Sequence, residues 1–335
     1  MVDTRTLAML LAHTRAATGT LVLVGDPAQL PEIGAGGLFA ALARHRDTIE
    51  LSDNRRQSEA WERRALADLR AGDPDAAVAA YATHGRVHTA PADQLPDRIV
   101  ADYLRISAEA EAGADPAEGD KTVEQSVMLA VRRADVTDLN DATRERLLEY
   151  GRLGPDPVTA GVGDRVREYR AGDRVLVKTN DHRLGLLNGT RASVTSVDTK
   201  RQTLTLAVED NEHVTVAVDW AARHLDHGYA MTCHKAQGAT VETALLYGTG
   251  ALSREAGYVA LSRGRTANHL YVPNDNDDRF AAVDDGQHLD RLATRLAARR
   301  TQTLATRQLP RDVANRWRSS ISHDPPQRRA EGRSL

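Results

Sequence analysis

The feature that most constrains the fold is a set of short, mostly apolar runs separated by segments with helical spacing. The runs read LVLV, SVMLAV, ALLYG and HLYV, and they occupy residues 21–24, 126–131, 244–248 and 269–272. Strands that are buried on both faces give such runs, because helices cover both faces of a parallel sheet. Strands that alternate with helices therefore predict an α/β fold built on a parallel sheet.

The segments between these runs carry the spacing and the capping residues of helices. Asp3 can cap the first helix and Gly19 can end it, and Asp138 can cap a later helix. A polar stretch at 112–120, AGADPAEGD, predicts a surface loop. The predicted helices cover residues 4–18, 36–46, 58–71, 74–83, 96–111 and 138–150.

Residues 173–220 follow a different pattern, in which apolar and polar residues alternate with a period of two. The segments RVLVK, RASVTSV, TLTLAVE and HVTVAVDW show this alternation, and Asn188-Gly189 is a turn signal typical of tight hairpins. Alternation of this kind is typical of antiparallel strands with one buried face. The sequence predicts a small antiparallel, barrel-like β unit inserted into the α/β domain.

Composition excludes several classes of protein. The chain of 335 residues is 41% hydrophobic and 27% charged, which is ordinary for a globular protein. It has no apolar run long enough to cross a membrane and no secretory signal, and its single cysteine, Cys233, excludes a disulfide framework or a cysteine-rich zinc site. These features predict a cytoplasmic protein without a membrane partner. Cys233 itself is expected to be a small packed side chain.

The net charge of −3 conceals a basic C-terminal segment. Residues 291–335 contain eleven arginines and only three acidic residues. Such a segment would attract phosphates, although a solvated helix followed by a disordered basic end explains the same composition.

Four short polar motifs lie beside the apolar runs. They read GDPAQLP at 25–31, LSDNRRQ at 51–57, GYAMTCHKAQGAT at 228–240 and YVALSRGR at 258–265. Ligands of open α/β sheets gather at the carboxyl ends of the strands, where such polar groups are useful. Each motif alone has an ordinary structural explanation, but the four in this order indicate a ligand site.

This set of motifs resembles the superfamily 1 helicases, specifically the RecD-like branch and the helicase region of TraA/TraI-type conjugative relaxases, over about residues 1–275. The resemblance implies a RecA-like P-loop NTPase fold. The implied divisions are 1–45, a remnant of the first RecA-like domain; 46–160, the first part of the second; 161–225, an inserted small β-barrel; 226–275, the last part of the second domain; and 276–335, a basic helical or disordered tail.

The resemblance also implies roles for particular residues. Gln29 would sense the γ-phosphate and the attacking water, and Arg56 and Arg263 would act as arginine fingers on the charge that develops in phosphoryl transfer. The remaining implied contacts are Asp26, Gly238 and Thr240 to the nucleotide, and Thr232, His234 and Lys235 to the phosphates and sugars of single-stranded DNA.

Two motifs that a helicase motor needs are missing from the sequence. A phosphate cradle has the pattern G-x-x-x-x-G-K-[ST], yet no Gly-Lys pair occurs, and no Asp-Glu pair is present to hold Mg²⁺. By resemblance, the chain begins just after the Mg²⁺-binding motif. ATP and Mg²⁺ would then be cofactors of the complete enzyme, and this chain would bind ATP weakly without hydrolysing it. Residues 1–45 would be poorly stabilised unless another polypeptide supplied the missing part.

Other functions remain open at this point. The chain could be a non-catalytic module that binds single-stranded DNA, although its 4% aromatic residues provide few platforms for base stacking. It could also be a fragment of a RecD-like exonuclease subunit, or a product without function. The scattered histidines and tyrosines predict neither a metal site nor the nicking chemistry of a relaxase.

Overall fold

The computed structural model describes residues 2–32, 36–44, 48–51, 53–113, 125–161, 166–208, 212–274 and 287–300. Contacts divide the chain into two units, a larger one of residues 28–30 and 52–300 and a smaller one that contains residues 1–27 and 31–51. The helices are α1 Thr4–Ala16, α2 Leu38–Leu42, α3 Ala60–Ala71, α4 Pro74–Thr83, α5 Leu95–Gly113, α6 Arg133–Glu149, α7 Val218–His224, α8 Arg254–Leu261 and α9 Gln287–Ala297. The strands are β1 Val87–Ala90, β2 Ser126–Ala130, β3 Val158–Ala160, β4 Arg167–Tyr169, β5 Arg174–Val177, β6 Arg191–Asp198, β7 Thr203–Ala207, β8 His213–Ala217, β9 Leu225–His227, β10 Ala230–Thr232, β11 Val241–Tyr247 and β12 Gly264–Pro273.

The smaller unit contains two helices and a run that does not form its predicted strand. Asp3 caps α1 as predicted, since its Oδ1 accepts a hydrogen bond from the Thr6 N–H at 2.7 Å. The left-handed residue after the helix is Thr18 rather than Gly19, with φ at 51°. Residues 21–24 form no strand, and Val22 and Val24 are 76% and 92% exposed. The reason is that no described strand pairs with this run, and an unpaired strand leaves its backbone groups without partners.

A parallel sheet of five strands forms the centre of the larger unit. Its order is β1-β12-β11-β2-β10, and every neighbouring pair is parallel. The predicted α/β fold is therefore confirmed. The short edge strand β1 was missed, because its sequence, VHTA, lacks an apolar run.

Helices cover both faces of this sheet, which explains the apolar runs. On one face, α3, α4, α8 and α9 pack against alternate strand residues such as Leu129 and Leu246. On the other face, α5 and α6 pack against the intervening residues, such as Met128 and Leu245. Every residue of β2 is buried. Helix α9 supplies Leu292 to the first of these clusters, so the larger unit continues beyond the boundary predicted at residue 275.

The predicted β insertion forms a separate antiparallel sheet with its own apolar core. Its strand order is β8-β7-β6-β5-β9, and β3 and β4 form a two-stranded sheet beside it. Closure of these strands into a barrel stays a prediction. Gly189 adopts φ of 96° as its turn signal required, but it lies in the longer connection 178–190 rather than in a tight hairpin.

Several predicted boundaries need correction. Helix α6 begins at Arg133, so Asp138 lies inside the helix and does not cap it. The helix predicted at 36–46 is restricted to Leu38–Leu42. Most of the predicted loop at 112–120 lies outside the described residues, as does the tail from residue 301 onwards. No helix in the described part of the chain is long and apolar enough to cross a membrane.

A buried carboxylate joins the inserted sheet to the α/β body. Asp173 is wholly buried and accepts hydrogen bonds from the Tyr229 hydroxyl and the Arg170 N–H, both at 2.7 Å. The Arg144 guanidinium on α6 donates to the same carboxylate at 3.2 Å. Asp173 directly precedes β5, the first strand of the five-stranded inserted sheet, and Tyr229 lies just after β9, its last strand. Both chain crossings are therefore tied to α6 at one place.

We expect Asp173→Ala to lower the free energy of unfolding by about 3 kcal/mol, because it leaves the Arg144 charge buried without this partner. Urea denaturation followed by circular dichroism measures the change. Asp156→Ala, which removes an exposed carboxylate from the same part of the chain, is the matched control. Equal stabilities for the two variants would contradict a joining role for Asp173.

Candidate functional site

Arg263, from the sixth motif, lies between α8 and β12 and is only 2% exposed. Its guanidinium donates to the Val259 carbonyl and the Ser262 hydroxyl, both at 2.7 Å, and to the Ala239 and Ala236 carbonyls at 3.2 Å and 3.4 Å. Ala239 belongs to the fifth motif. Arg263 thus connects the sixth motif to the fifth through the protein backbone, and these bonds fix the orientation of its planar head.

Arg56, from the fourth motif, meets Arg263 at a shared residue. Its Nη1 donates to the Ser262 carbonyl at 2.8 Å, while Arg263 binds the hydroxyl of the same serine. The Arg56 side chain is half-buried, and this desolvation lowers its pKa, with opposing electrostatic effects from Tyr258 and Arg265. The structure therefore brings together two arginines that are far apart in sequence and that the motifs predicted to act together.

The residues after Arg56 run along the beginning of β12. The Gln57 side chain is buried, and its Nε2 donates to the Gly264 carbonyl at 2.8 Å. The Ser58 N–H donates to the Arg265 carbonyl at 2.9 Å. Gln57 belongs to the fourth motif, but the sequence analysis assigned it no role. Its position directly after Arg56 is the feature of the sequence that could have identified it.

A buried polar cluster fixes the irregular start of β12. The Asn268 side chain accepts from the Gly264 N–H at 2.8 Å and donates to Glu62 Oε1 at 2.9 Å, and the Tyr81 hydroxyl donates to the same oxygen at 3.1 Å. A Cβ at Gly264 would lie 2.1 Å from the Ala267 carbonyl oxygen, so only glycine fits this bend. Glu62 and Asn268 thus support the backbone next to Arg263, and the sequence analysis assigned neither of them a role.

The fifth motif forms a series of turns between β10 and β11. Thr232 Oγ1 accepts from the Lys235 N–H at 3.2 Å, and the Thr232 carbonyl accepts from the Ala236 N–H at 3.0 Å. Gly238 has φ of 95° with no atom within 4 Å of a Cβ position, so the backbone conformation and not the space requires glycine there. Thr240 follows, and the next N–H, of Val241, donates to the Arg263 carbonyl at 3.1 Å.

Three side chains of this motif differ sharply in their surroundings. Cys233 is wholly buried, and burial raises the pKa of its thiol to about 12, as expected of a packed side chain. His234 is half-buried, and desolvation lowers its pKa, which keeps the imidazole neutral at neutral pH. Lys235 is exposed, with a pKa lowered by partial desolvation of its side chain. Of the three, only Lys235 offers an exposed positive charge.

Gln29, from the third motif, also contacts the fifth motif. Its Oε1 accepts from Gln237 Nε2 at 3.1 Å, and the neighbouring Leu30 is buried in the same apolar cluster as α3 and α8. Asp26 belongs to the smaller unit, and its role stays a prediction. Within the described residues, no group of histidine, cysteine and carboxylate side chains is arranged to hold a metal ion.

Comparison with known proteins gives matches to a family model, to curated proteins and to solved structures. A family model described as an AAA domain matches residues 1–92. The conjugal transfer protein TraA of Rhizobium radiobacter is 33% identical over 273 residues, which cover 81% of this chain and 24% of that protein. The RecBCD enzyme subunit RecD of Mycolicibacterium smegmatis is 31% identical over 278 residues, which cover 79% of this chain and 47% of that protein. A crystal structure of Bacteroides Pif1 bound to ssDNA has 20% identity and a TM-score of 0.44, covering 75% of this chain and 62% of that one.

The TraA and RecD matches agree with the motif residues, and the chain belongs to the RecD-like branch of the superfamily 1 helicases. Within that branch it is related to the TraA proteins of conjugal transfer. The chain spans about a quarter of the length of the TraA relative and about half of the RecD relative.

Glu62 should make the stability of this site depend on pH. Burial raises the pKa of its carboxyl, so the folded chain binds this proton more tightly than the unfolded chain does. The contribution of Glu62 to the free energy of unfolding is then greatest in acid and decreases as the pH rises through the raised pKa.

The substitution Glu62→Gln removes this titratable carboxyl group. We expect the stability of the unsubstituted chain relative to Glu62→Gln to fall between acid and neutral pH in urea denaturation. Glu59→Gln, an exposed change beside the same helix, is the control, and a constant difference across this range would contradict the prediction.

Proposed function

We propose that this chain is the C-terminal portion of an ATP-dependent DNA helicase of the conjugative relaxase type, whose complete form couples ATP hydrolysis to translocation along single-stranded DNA in the cytoplasm. The observation that carries the proposal is the meeting of Arg56 and Arg263 at Ser262, next to the turns of the fifth motif. Two arginines from separate motifs converge there on one short backbone segment.

The chemistry of phosphoryl transfer gives these arginines distinct tasks. Negative charge spreads over the transferred oxygens, and a planar guanidinium can donate two parallel hydrogen bonds to them. Arg56 uses one donor for Ser262 and is only half-buried, so it is the arginine that we assign to the γ-phosphate. Arg263 presents almost no surface in this conformation. We assign it to holding the fifth motif in place, and its direct contact with phosphate requires a rearrangement.

Gln29 and the fifth motif complete the proposed arrangement. The amide of Gln29 can both donate and accept, as a group that positions a water molecule must. Its contact with Gln237 would report the nucleotide state to the turns that carry Thr232, His234 and Lys235. Asp26, Gly238 and Thr240 would lie near the nucleotide. In the complete enzyme, the phosphate cradle and the Mg²⁺ ligands would come from residues outside this sequence.

The isolated chain should show no ATP turnover stimulated by single-stranded DNA, because an arginine accelerates only a nucleotide that is already bound and loaded with Mg²⁺. A coupled phosphate-release assay measures this. When the chain is joined to a preceding segment with a cradle and an acidic pair, Arg56→Lys should lower kcat by about 10³-fold. Turnover by the isolated chain that Arg56→Lys and Arg263→Lys both leave unchanged would overturn the assignment.

Single-stranded DNA should bind through Lys235, with an affinity that falls as salt rises. Lys235→Gln should reduce the slope of log affinity against log salt by about 0.7, the effect of one lost phosphate contact. Fluorescence anisotropy with a labelled oligonucleotide at several salt concentrations measures the slope. Lys200→Gln, an exposed change in the inserted sheet, should leave it unchanged. Equal slopes for both variants would show that Lys235 does not contact the DNA. If the chain joined to the preceding segment binds DNA but does not turn over ATP, a non-catalytic binding module is favoured instead.

A further inference from the structure

A cavity lies in the larger unit, and Tyr229 is the one motif residue among those that line it. It has a volume of about 720 Å³ and is bounded by α5, the end of α6 and strands β5 and β6 of the inserted sheet. Helices α5 and α6 cover the face of the parallel sheet opposite to α8, which leads into the sixth motif. The cavity is therefore separate from the candidate nucleotide site. Its volume falls in the range of small-molecule sites, which is roughly 300–1,000 Å³.

The charged groups of the cavity are arranged around one carboxylate. Arg174 has a side chain only 9% exposed, donates to the Tyr103 hydroxyl at 2.9 Å and lies 3.5 Å from Glu111 Oε1. Arg152 donates to the other oxygen of Glu111. A single carboxylate thus lies between two guanidinium groups. Arg105 also lines the cavity, but it is paired with Asp102 and Glu109. The two guanidinium groups at Glu111 exceed the charge of that one carboxylate, which favours an anionic ligand.

The cavity also carries a flat surface and neutral hydrogen-bonding groups. Tyr150 lines it and is 61% exposed. Ser107, Ser193 and Thr195 supply hydroxyl groups to the lining. An aromatic ring beside a pair of arginines matches a ligand that joins a flat ring to a phosphate.

We propose that this cavity binds a nucleoside monophosphate, with the phosphate between Arg152 and Arg174 and the base against Tyr150. Glu111 occupies part of the phosphate position in the absence of ligand and competes with it. The ligand would connect α5 and α6 to the inserted sheet, because residues of all three elements line the cavity. The proposal does not depend on ATP hydrolysis at the first site.

Calorimetric titration of the chain with AMP tests the proposal, with adenosine and inorganic phosphate as the two partial ligands. Removing the competing carboxylate by Glu111→Gln should tighten AMP binding by about tenfold, the effect of losing one nearby like charge. Arg152→Gln should weaken it by about tenfold, the effect of one charge-assisted hydrogen bond. Tyr150→Ala should weaken AMP but leave inorganic phosphate unchanged.

Matched controls separate this site from the first one and from misfolding. Arg133→Gln removes an exposed arginine from the opposite end of α6, outside the cavity, and it should leave AMP binding unchanged. Arg56→Gln should also have no effect, because Arg56 belongs to the first site. Thermal unfolding of each variant checks the fold. The proposal is overturned if Arg56→Gln abolishes AMP binding, if Glu111→Gln and Arg152→Gln leave it unchanged, or if AMP does not bind more tightly than inorganic phosphate.

Discussion

The beginning of β12 is the constraint on which the candidate site depends. Gly264 is held by Gln57 from the fourth motif and by the Asn268 side chain, which binds Glu62 on α3 in turn. The close approach of the Ala267 carbonyl permits no side chain at Gly264. Arg263 immediately precedes this glycine, so its backbone position is set by residues far away in sequence. The two arginines meet because α3 and β12 are locked together at this point.

The sequence predicted the α/β architecture well because burial on both sheet faces leaves a direct trace. Residues 126–130 are buried at every position, and the apolar run that predicted β2 ends one residue beyond the strand. The boundary of α6 was less accessible. Asp138 is a good capping residue in isolation, but the contacts of the neighbouring Asp135 with Arg132 and Thr249 stabilise the earlier turn of the helix. A tertiary contact of this kind cannot be deduced from local spacing.

For the candidate site too, the sequence predicted some of the residues and gave no indication of others. The resemblance of the motifs to those of the superfamily 1 helicases predicted roles for Arg56, Arg263 and the fifth-motif turns. It did not reveal that Ser262 joins the two arginines or that Arg263 is buried against backbone carbonyls. Glu62 and Asn268 were missed altogether, since a glutamate on a helix and an asparagine in a strand have no distinctive local pattern. Their role arises only when the sheet places Asn268 beside α3.

The contrast between residues 21–24 and β2 shows why the third motif is divided between the two units. Both runs are apolar enough for a central strand, but β2 has two parallel neighbours and LVLV has none within the described residues. Apolar sequence alone does not make a strand, because the backbone N–H and C=O groups must also be paired. Four residues downstream of this run, Ala28–Leu30 belong to the larger unit, where Leu30 is buried and Gln29 contacts Gln237. The part of the third motif that faces the fifth is therefore stabilised by the larger unit's own core, whereas the strand that leads into it would need a sheet partner before it could form.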